Sequence, residues 1–210
     1  MQIALYTAPT EIENEVDIIS ELFANGVDYL YIRKPALDDF SLVDFVEKIP
    51  EKYWQKCIST SLIITKEFDF AGYHFTRDIL QKNTNYNHKI LEWLHENNKI
   101  SSASAHSIEE LNWYAGQFKQ IIVSPMFPSI SKENHFYNWD YEMLDKQILK
   151  HKLQHPTTRF FAVGGVDATK INEINNLNFD GIGLLGTIWN NPINATINFL
   201  NILQHLKHDK

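Results

Sequence analysis

Cysteine is almost missing from this chain of 210 residues: Cys57 stands alone, so no intrachain disulfide can form. Without an oxidative framework, a reducing compartment is expected, and the cytoplasm is the default location. No apolar run approaches the roughly 18 residues needed to cross a membrane. The start, Met1-Gln2-Ile3-Ala4-Leu5-Tyr6, lacks a basic region followed by a long apolar core, so no signal peptide is expected there. Positive charge is in deficit, at a formal net charge of −7, which argues against a non-specific nucleic-acid partner. An acidic ligand still fits, because backbone amides alone can hold a phosphate. There is no Pro/Gly/Ser linker and no low-complexity block. Clustered metal-ligand patterns such as CxxC, HExxH and DxDxDG are also missing.

What remains is ordinary for a globular chain: 44% hydrophobic and 21% charged residues, enough for one domain spanning residues 1–210 with a substantial core. Short strand-like runs alternate with helical stretches throughout. The runs fall at Gln2–Ala8, Asp28–Lys34, Ser61–Thr65, Gly72–Thr76, Ile100–His106, Gln120–Pro125, Arg159–Gly164 and Gly181–Gly186. Helices are expected at Glu11–Asn25, Asp38–Ile49, Tyr86–Asn97 and Ser107–Phe118. Strict alternation of this kind predicts an α/β fold with a parallel sheet. Eight units predict a (β/α)8 TIM barrel, compact beside the usual ~250 residues. One junction is awkward. Lys66–Ala71 is too short for the dozen or more residues of a parallel crossover, so either a helix is reduced there or the third strand is misplaced.

Two apolar runs end on glycine: Phe160-Phe161-Ala162-Val163-Gly164-Gly165 and Gly181-Ile182-Gly183-Leu184-Leu185-Gly186. In a barrel these would be the last two strands, whose following loops commonly hold a phosphate. Gly164, Gly165, Leu185 and Gly186 are therefore candidates to present backbone N–H groups to an anion, with helices beginning near Asp167 and Asn190 adding their dipoles. Arg33 and Lys34 end the second run at the rim where barrel active sites lie; Arg33 can grip a phosphate bidentately, or pair with Asp38. Strand alternation sends these two side chains to opposite faces, so one of them meets a helix. The loop from Met126 to Trp139 carries Ser129, Ser131 and Lys132, which together can hold and cover an anionic group. Ser104 and His106 share one strand face, although Ser107 and Glu110 have the spacing of a helix capping box. His74 and Asp78 also reach the same rim.

In this order, Tyr31-Ile32-Arg33, Gly72-Tyr73-His74-Phe75, Ser104-Ala105-His106-Ser107, Ser124-Pro125-Met126-Phe127-Pro128-Ser129 with Ser131-Lys132, and Val163-Gly164-Gly165-Val166 resemble the thiamine phosphate synthase and TenI family, from about Ala4 to about Phe199. The resemblance implies a TIM barrel that joins hydroxymethylpyrimidine diphosphate to a thiazole phosphate with loss of diphosphate. It implies that Gly165 and the Leu185-Gly186 turn hold the thiazole phosphate. Arg33, Ser104 and Lys132 would face the pyrimidine diphosphate, the two cations stabilising the leaving group. It permits a homodimer.

The family's Mg²⁺ would be held by an Asn-Asp pair ending the third strand, matched here to Thr65-Lys66, and by a second Asp for which Asp78 stands one position short. The lysine expected two after Arg33 is Pro35, with Lys34 beside it. Two readings follow: Lys66 and Arg77 replace the metal, or the diphosphate site is lost and the barrel binds thiazole phosphate or thiamine phosphate without catalysis. The TenI branch isomerises the thiazole with a histidine after the sixth strand. Pro125 occupies that place here, so this third reading needs His106 or His135.

Overall fold

In a computed structural model, the structure describes residues 1–82, 84–128 and 139–206. The expectations placed on Ser129, Ser131, Lys132 and His135 lie outside the described residues. In chain order the elements are β1 (Gln2–Tyr6), α1 (Glu15–Ala24), β2 (Tyr29–Ile32), α2 (Asp39–Glu47), β3 (Cys57–Ser59), α3 (Leu62–Glu67), β4 (Gly72–Phe75), α4 (Arg77–Lys82) and α5 (Thr84–Glu96). There follow β5 (Ile100–Ala105), α6 (Ile108–Tyr114), β6 (Gln120–Val123), α7 (Tyr141–Gln154), β7 (Arg159–Val163), α8 (Ile171–Asn175), β8 (Gly181–Leu184), α9 (Gly186–Trp189) and α10 (Ala195–His205). Every strand pairs in parallel with the next, and β8 pairs with β1, so the sheet closes into an eight-stranded barrel.

Strand alternation divides the buried side chains into two cores. Ala4, Tyr6, Tyr31, Ile58, Ile122, Phe161 and Val163 form one cluster inside the barrel. Their strand neighbours, among them Leu5, Leu30, Ile32, Ile121, Phe160 and Ala162, belong to a larger cluster between sheet and helices. Phe160 and Phe161 are adjacent in sequence, fully buried, and on opposite faces. Each contributes on the order of 1.5–3 kcal/mol by leaving water. Glycine makes the inner layer possible. A Cβ on Gly181 would lie 2.3 Å from the Phe161 ring, and one on Gly183 would lie 2.9 Å from the ring of Tyr6.

The third strand corrects the sequence reading. Ser61–Thr65 is not a strand: β3 is Cys57–Ser59, and Leu62–Glu67 forms α3. Leu62-Ile63-Ile64-Thr65 looks extended by composition, but the Ser61 side chain accepts a hydrogen bond from Ile64 N and caps a helix there. Ile64 is buried and Ile63 is 61% exposed, a split that suits a helix on the barrel surface. The awkward short crossover disappears, because the connection now runs from Thr60 to Ala71.

Candidate functional site

The barrel mouth is built from the turns after the strands. After β7, Gly164 and Gly165 take φ of 95° and 66°, a region that L side chains rarely adopt. They also admit a neighbour: Met126 N donates to Val163 O (2.8 Å) and Phe127 N donates to Gly164 O (3.0 Å). A Cβ on Gly165 would lie 2.6 Å from Pro128 O. The turn after β8 is tied to this one by a hydrogen bond from the Thr187 hydroxyl to Val166 O. The two glycine turns are thus adjacent, and among the described residues no protein acceptor engages the N–H groups of Gly165, Gly186 or Thr187. The expected helix dipoles are slight: the helices start at Ile171 and Gly186, not Asp167 and Asn190, and have five and four residues. Leu185, 39% exposed, heads the second turn.

After β2 the two cations diverge. Lys34 turns outward, buried against Glu15 of α1 in an ion pair, with its ammonium 4.7 Å from the Phe45 ring centroid. The pair lines a cavity of about 770 Å³ between α1 and α2, which flanks the mouth. Arg33 continues the inward face of Tyr29 and Tyr31. Its backbone is clamped by Thr7, whose Oγ1 accepts from Arg33 N (2.9 Å) and donates to Arg33 O (3.2 Å). Asp38, its alternative partner, instead accepts from Ser41 N and caps α2.

Arg33 is exposed at the rim, and its positive charge bears on both Tyr6 and His74 of the inner layer. His74 is buried on β4. Desolvation, then Arg33, then His106, lowers its pKa to about 3, so its ring is neutral at physiological pH. Its Nδ1 lies 3.0 Å from Ser102 Oγ and its Nε2 lies 3.3 Å from Ser104 Oγ. Tyr31 bonds Ser102 Oγ (3.0 Å) and Gln120 Oε1 (2.6 Å), and its ring stacks on Tyr6 with centroids 4.7 Å apart. The Tyr6 hydroxyl is buried and has no hydrogen-bond partner among the described residues. Burial raises the pKa of both tyrosines, so each hydroxyl keeps its proton.

His106 serves the rim. Its Nδ1 contacts Ser124 O, and its N–H donates to Glu110 Oε2 (2.7 Å). Arg77 pairs with the same carboxylate. Pro125 follows a cis peptide after Ser124.

The structure moves the metal question. Thr65 and Lys66 lie in α3, and Lys66 reaches the Trp93 ring of α5 (4.7 Å to its centroid), outside the barrel. The end of the third strand is Ser59-Thr60, where Ser59 Oγ accepts from Ser61 N (3.0 Å). Lys66 therefore does not replace a metal at the mouth. Asp78 is exposed in the first turn of α4, and among the described residues no group of three His, Cys, Asp or Glu side chains could hold an ion. Among the described residues, the hydroxyls of Ser59 and Thr60 and the exposed carboxylate of Asp78 do not fit Mg²⁺, which prefers carboxylate oxygens in near-octahedral array.

Sequence reasoning passed over Tyr6, Tyr31, Ser102 and Gln120. The usable signal was the period-two placement of polar groups on apolar strands, as in Ser102, Ser104 and His106.

The family model described as thiamine monophosphate synthase matches residues 4–188. A thiamine phosphate pyrophosphorylase from Bacteroides thetaiotaomicron has a similar structure, with TM-score 0.76, 22% identity and full coverage of both chains. One from Pyrococcus furiosus superposes with TM-score 0.73 at 14% identity, covering 97% of this chain and 94% of its own. A 3-hexulose-6-phosphate synthase follows with TM-score 0.66 at 12% identity, covering 99% and 100%. No curated protein sequence matches the chain. Among the described residues, no helix is long and apolar enough to cross a membrane.

Proposed function

The chain belongs to the thiamine monophosphate synthase family, and from that premise we propose that it joins hydroxymethylpyrimidine diphosphate to a thiazole phosphate. The observation that carries the reading is the pair of adjacent glycine turns with uncommitted amides, beside a mouth holding Arg33, His74 and Ser104. The amides of Gly165 and Gly186 take the thiazole phosphate. The pyrimidine diphosphate lies across the inner polar layer under Arg33. The bond between the pyrimidine methylene carbon and the diphosphate oxygen breaks, its electron pair leaving with diphosphate. The thiazole nitrogen then supplies the pair for the new C–N bond. Arg33 offsets the charge that grows on the leaving oxygen, an interaction that strengthens in the transition state. His74, neutral and hydrogen-bonded on both nitrogens, is no proton donor to that oxygen. No step is routed through Mg²⁺, because the described residues do not fit it.

A second reading is favoured by Ser59-Thr60, where the family's Asn-Asp pair would stand: a barrel that binds thiazole phosphate or thiamine phosphate without transfer. Purified protein incubated with both substrates, with and without Mg²⁺, separates the two. Thiamine phosphate formed in either condition supports transfer. No product in both, with a rise in melting temperature on adding thiazole phosphate, sinks transfer and leaves the binding barrel. On ¹⁵N-labelled protein, thiazole phosphate should move the amide resonances of Gly165 and Gly186; silence at both would remove the phosphate site.

A further inference from the structure

Gln120, Tyr31, Ser102 and His74 form one hydrogen-bonded file across the barrel interior, ending at Ser104 in the mouth. All four are buried, and Ser104 is half-buried. The direction of each bond follows from counting protons. Tyr31 Oη and Gln120 Oε1 are 2.6 Å apart. That is an O–H···O distance; N–H···O contacts centre on about 2.9–3.0 Å. The Gln120 carbonyl therefore faces the phenol, and the single Tyr31 proton is committed to it. Between Tyr31 and Ser102 (3.0 Å) the donor must then be Ser102. With its one proton so used, Ser102 can only accept from His74, and Nδ1 must carry a hydrogen (3.0 Å). A neutral ring has one hydrogen, so Nε2 is a bare lone pair. The Ser104 hydroxyl points its proton at that lone pair (3.3 Å).

We propose that Gln120, Tyr31 and Ser102 are positioning residues that lock His74 in its Nδ1–H tautomer and thereby leave Ser104 Oγ as an acceptor toward the mouth. Resting on the reading of the mouth as the substrate site, this makes Ser104 select a ligand group that donates, an amino group over an oxo group. The file reaches Ser104 only through one imidazole, so reversing one upstream bond reverses what the mouth presents. Removing the Tyr31 hydroxyl frees the Ser102 proton to turn onto His74 Nδ1. The ring hydrogen then moves to Nε2, and Ser104 is released to donate.

The tautomer is read directly in the ligand-free protein, with histidine labelled at both ring nitrogens and long-range ¹H–¹⁵N correlations recorded at pH 7. The expected result is a protonated Nδ1 and a pyridine-like Nε2 on His74. Protonated Nε2, or an imidazolium, overturns the proposal whatever the enzyme catalyses. Tyr31→Phe is expected to move the hydrogen to Nε2, and an unchanged tautomer in that variant also overturns it. Ser102→Ala supplies the second variant: His74 loses its acceptor at Nδ1 and the single-tautomer signature should broaden into a mixture. Competition between hydroxymethylpyrimidine and its 4-oxo analogue reads the consequence. The wild type should prefer the amino compound, and Tyr31→Phe should shrink that preference by about tenfold, the order of one hydrogen-bond mismatch. A preference that survives Tyr31→Phe refutes the link to Ser104. Failure of transfer with the tautomer as described counts against the proposed reaction and not against the file.

Discussion

Lys34→Met tests whether that lysine holds the fold or a ligand. Its ammonium pairs with Glu15 across the junction of β2 and α1, with side-chain exposures of 6% and 5%. Glu15 Oε1 also accepts from Ala8 N at 2.9 Å. Desolvation raises the pKa of Glu15 even though Lys34 opposes the shift, so the carboxylate depends on its partner to stay charged. Without Lys34, Glu15 is expected to protonate. For a carboxyl of ordinary pKa near 4.5 at pH 7, that costs about 3.5 kcal/mol. This lies within the roughly 3–5 kcal/mol seen when one partner of a buried pair is removed. In the variant the folded-state pKa stands above the unfolded one, so the missing stability returns as pH falls. Between pH 7 and pH 5 the deficit should shrink to about 1 kcal/mol. Glu15→Gln, which still accepts from Ala8 N, should cost a similar amount at pH 7. The double variant should recover most of it, because no unpaired charge stays buried. Urea unfolding of all four proteins at the two pH values provides the free energies. The reasoning fails if Lys34→Met lies within about 1 kcal/mol of wild type at pH 7, or if its deficit grows toward pH 5. Thiazole phosphate should raise the melting temperature of Lys34→Met as much as that of the wild type.

Gly165→Ala combines a left-handed φ of 66° with a Cβ 2.6 Å from Pro128 O, and should lose about 2 kcal/mol or more in chemical denaturation; a loss under about 0.5 kcal/mol would contradict that geometry. Tyr6→Phe removes a buried hydroxyl that has no partner among the described residues, and should leave stability unchanged or raise it by about 1 kcal/mol; a comparable loss would mean that the hydroxyl is bonded after all. His74 binds a proton at about pH 3 when folded and near 6.5 when unfolded. Its contribution is therefore complete above pH 6.5 and falls as the solution is acidified, by about 2 kcal/mol at pH 5. A His74→Phe variant should lose that slope, and the wild-type His74 ring resonances should not titrate between pH 8 and pH 5.

The alternation of strands and helices was legible because β1, β2, β6, β7 and β8 are short, largely apolar runs, while β4 and β5 set polar residues such as His74, Ser102 and Ser104 among apolar neighbours. β3 was not: Cys57-Ile58-Ser59 is too short to show a period, while the neighbouring Leu62-Ile63-Ile64-Thr65 has the composition of a strand. What decided the matter was the single hydroxyl of Ser61 at the start of α3. That slip carried the metal question to the wrong residues, Thr65-Lys66 in place of Ser59-Thr60. The divergence of Arg33 and Lys34 follows from period two alone, but which of them turns inward needed the register of β2. The inner polar file was beyond reach for another reason. Tyr31, His74, Ser102 and Gln120 come from β2, β4, β5 and β6, and only closure of the sheet brings them together.

The exits of β6, β7 and β8 are fastened to each other: Met126 N to Val163 O, Phe127 N to Gly164 O, and the Thr187 hydroxyl to Val166 O. If the proposed phosphate binds there, it meets dipoles whose directions were set during folding, so little reorganisation would accompany its capture. On that reading, severing one fastening would blur the aim of the amides while every recognising group is still present.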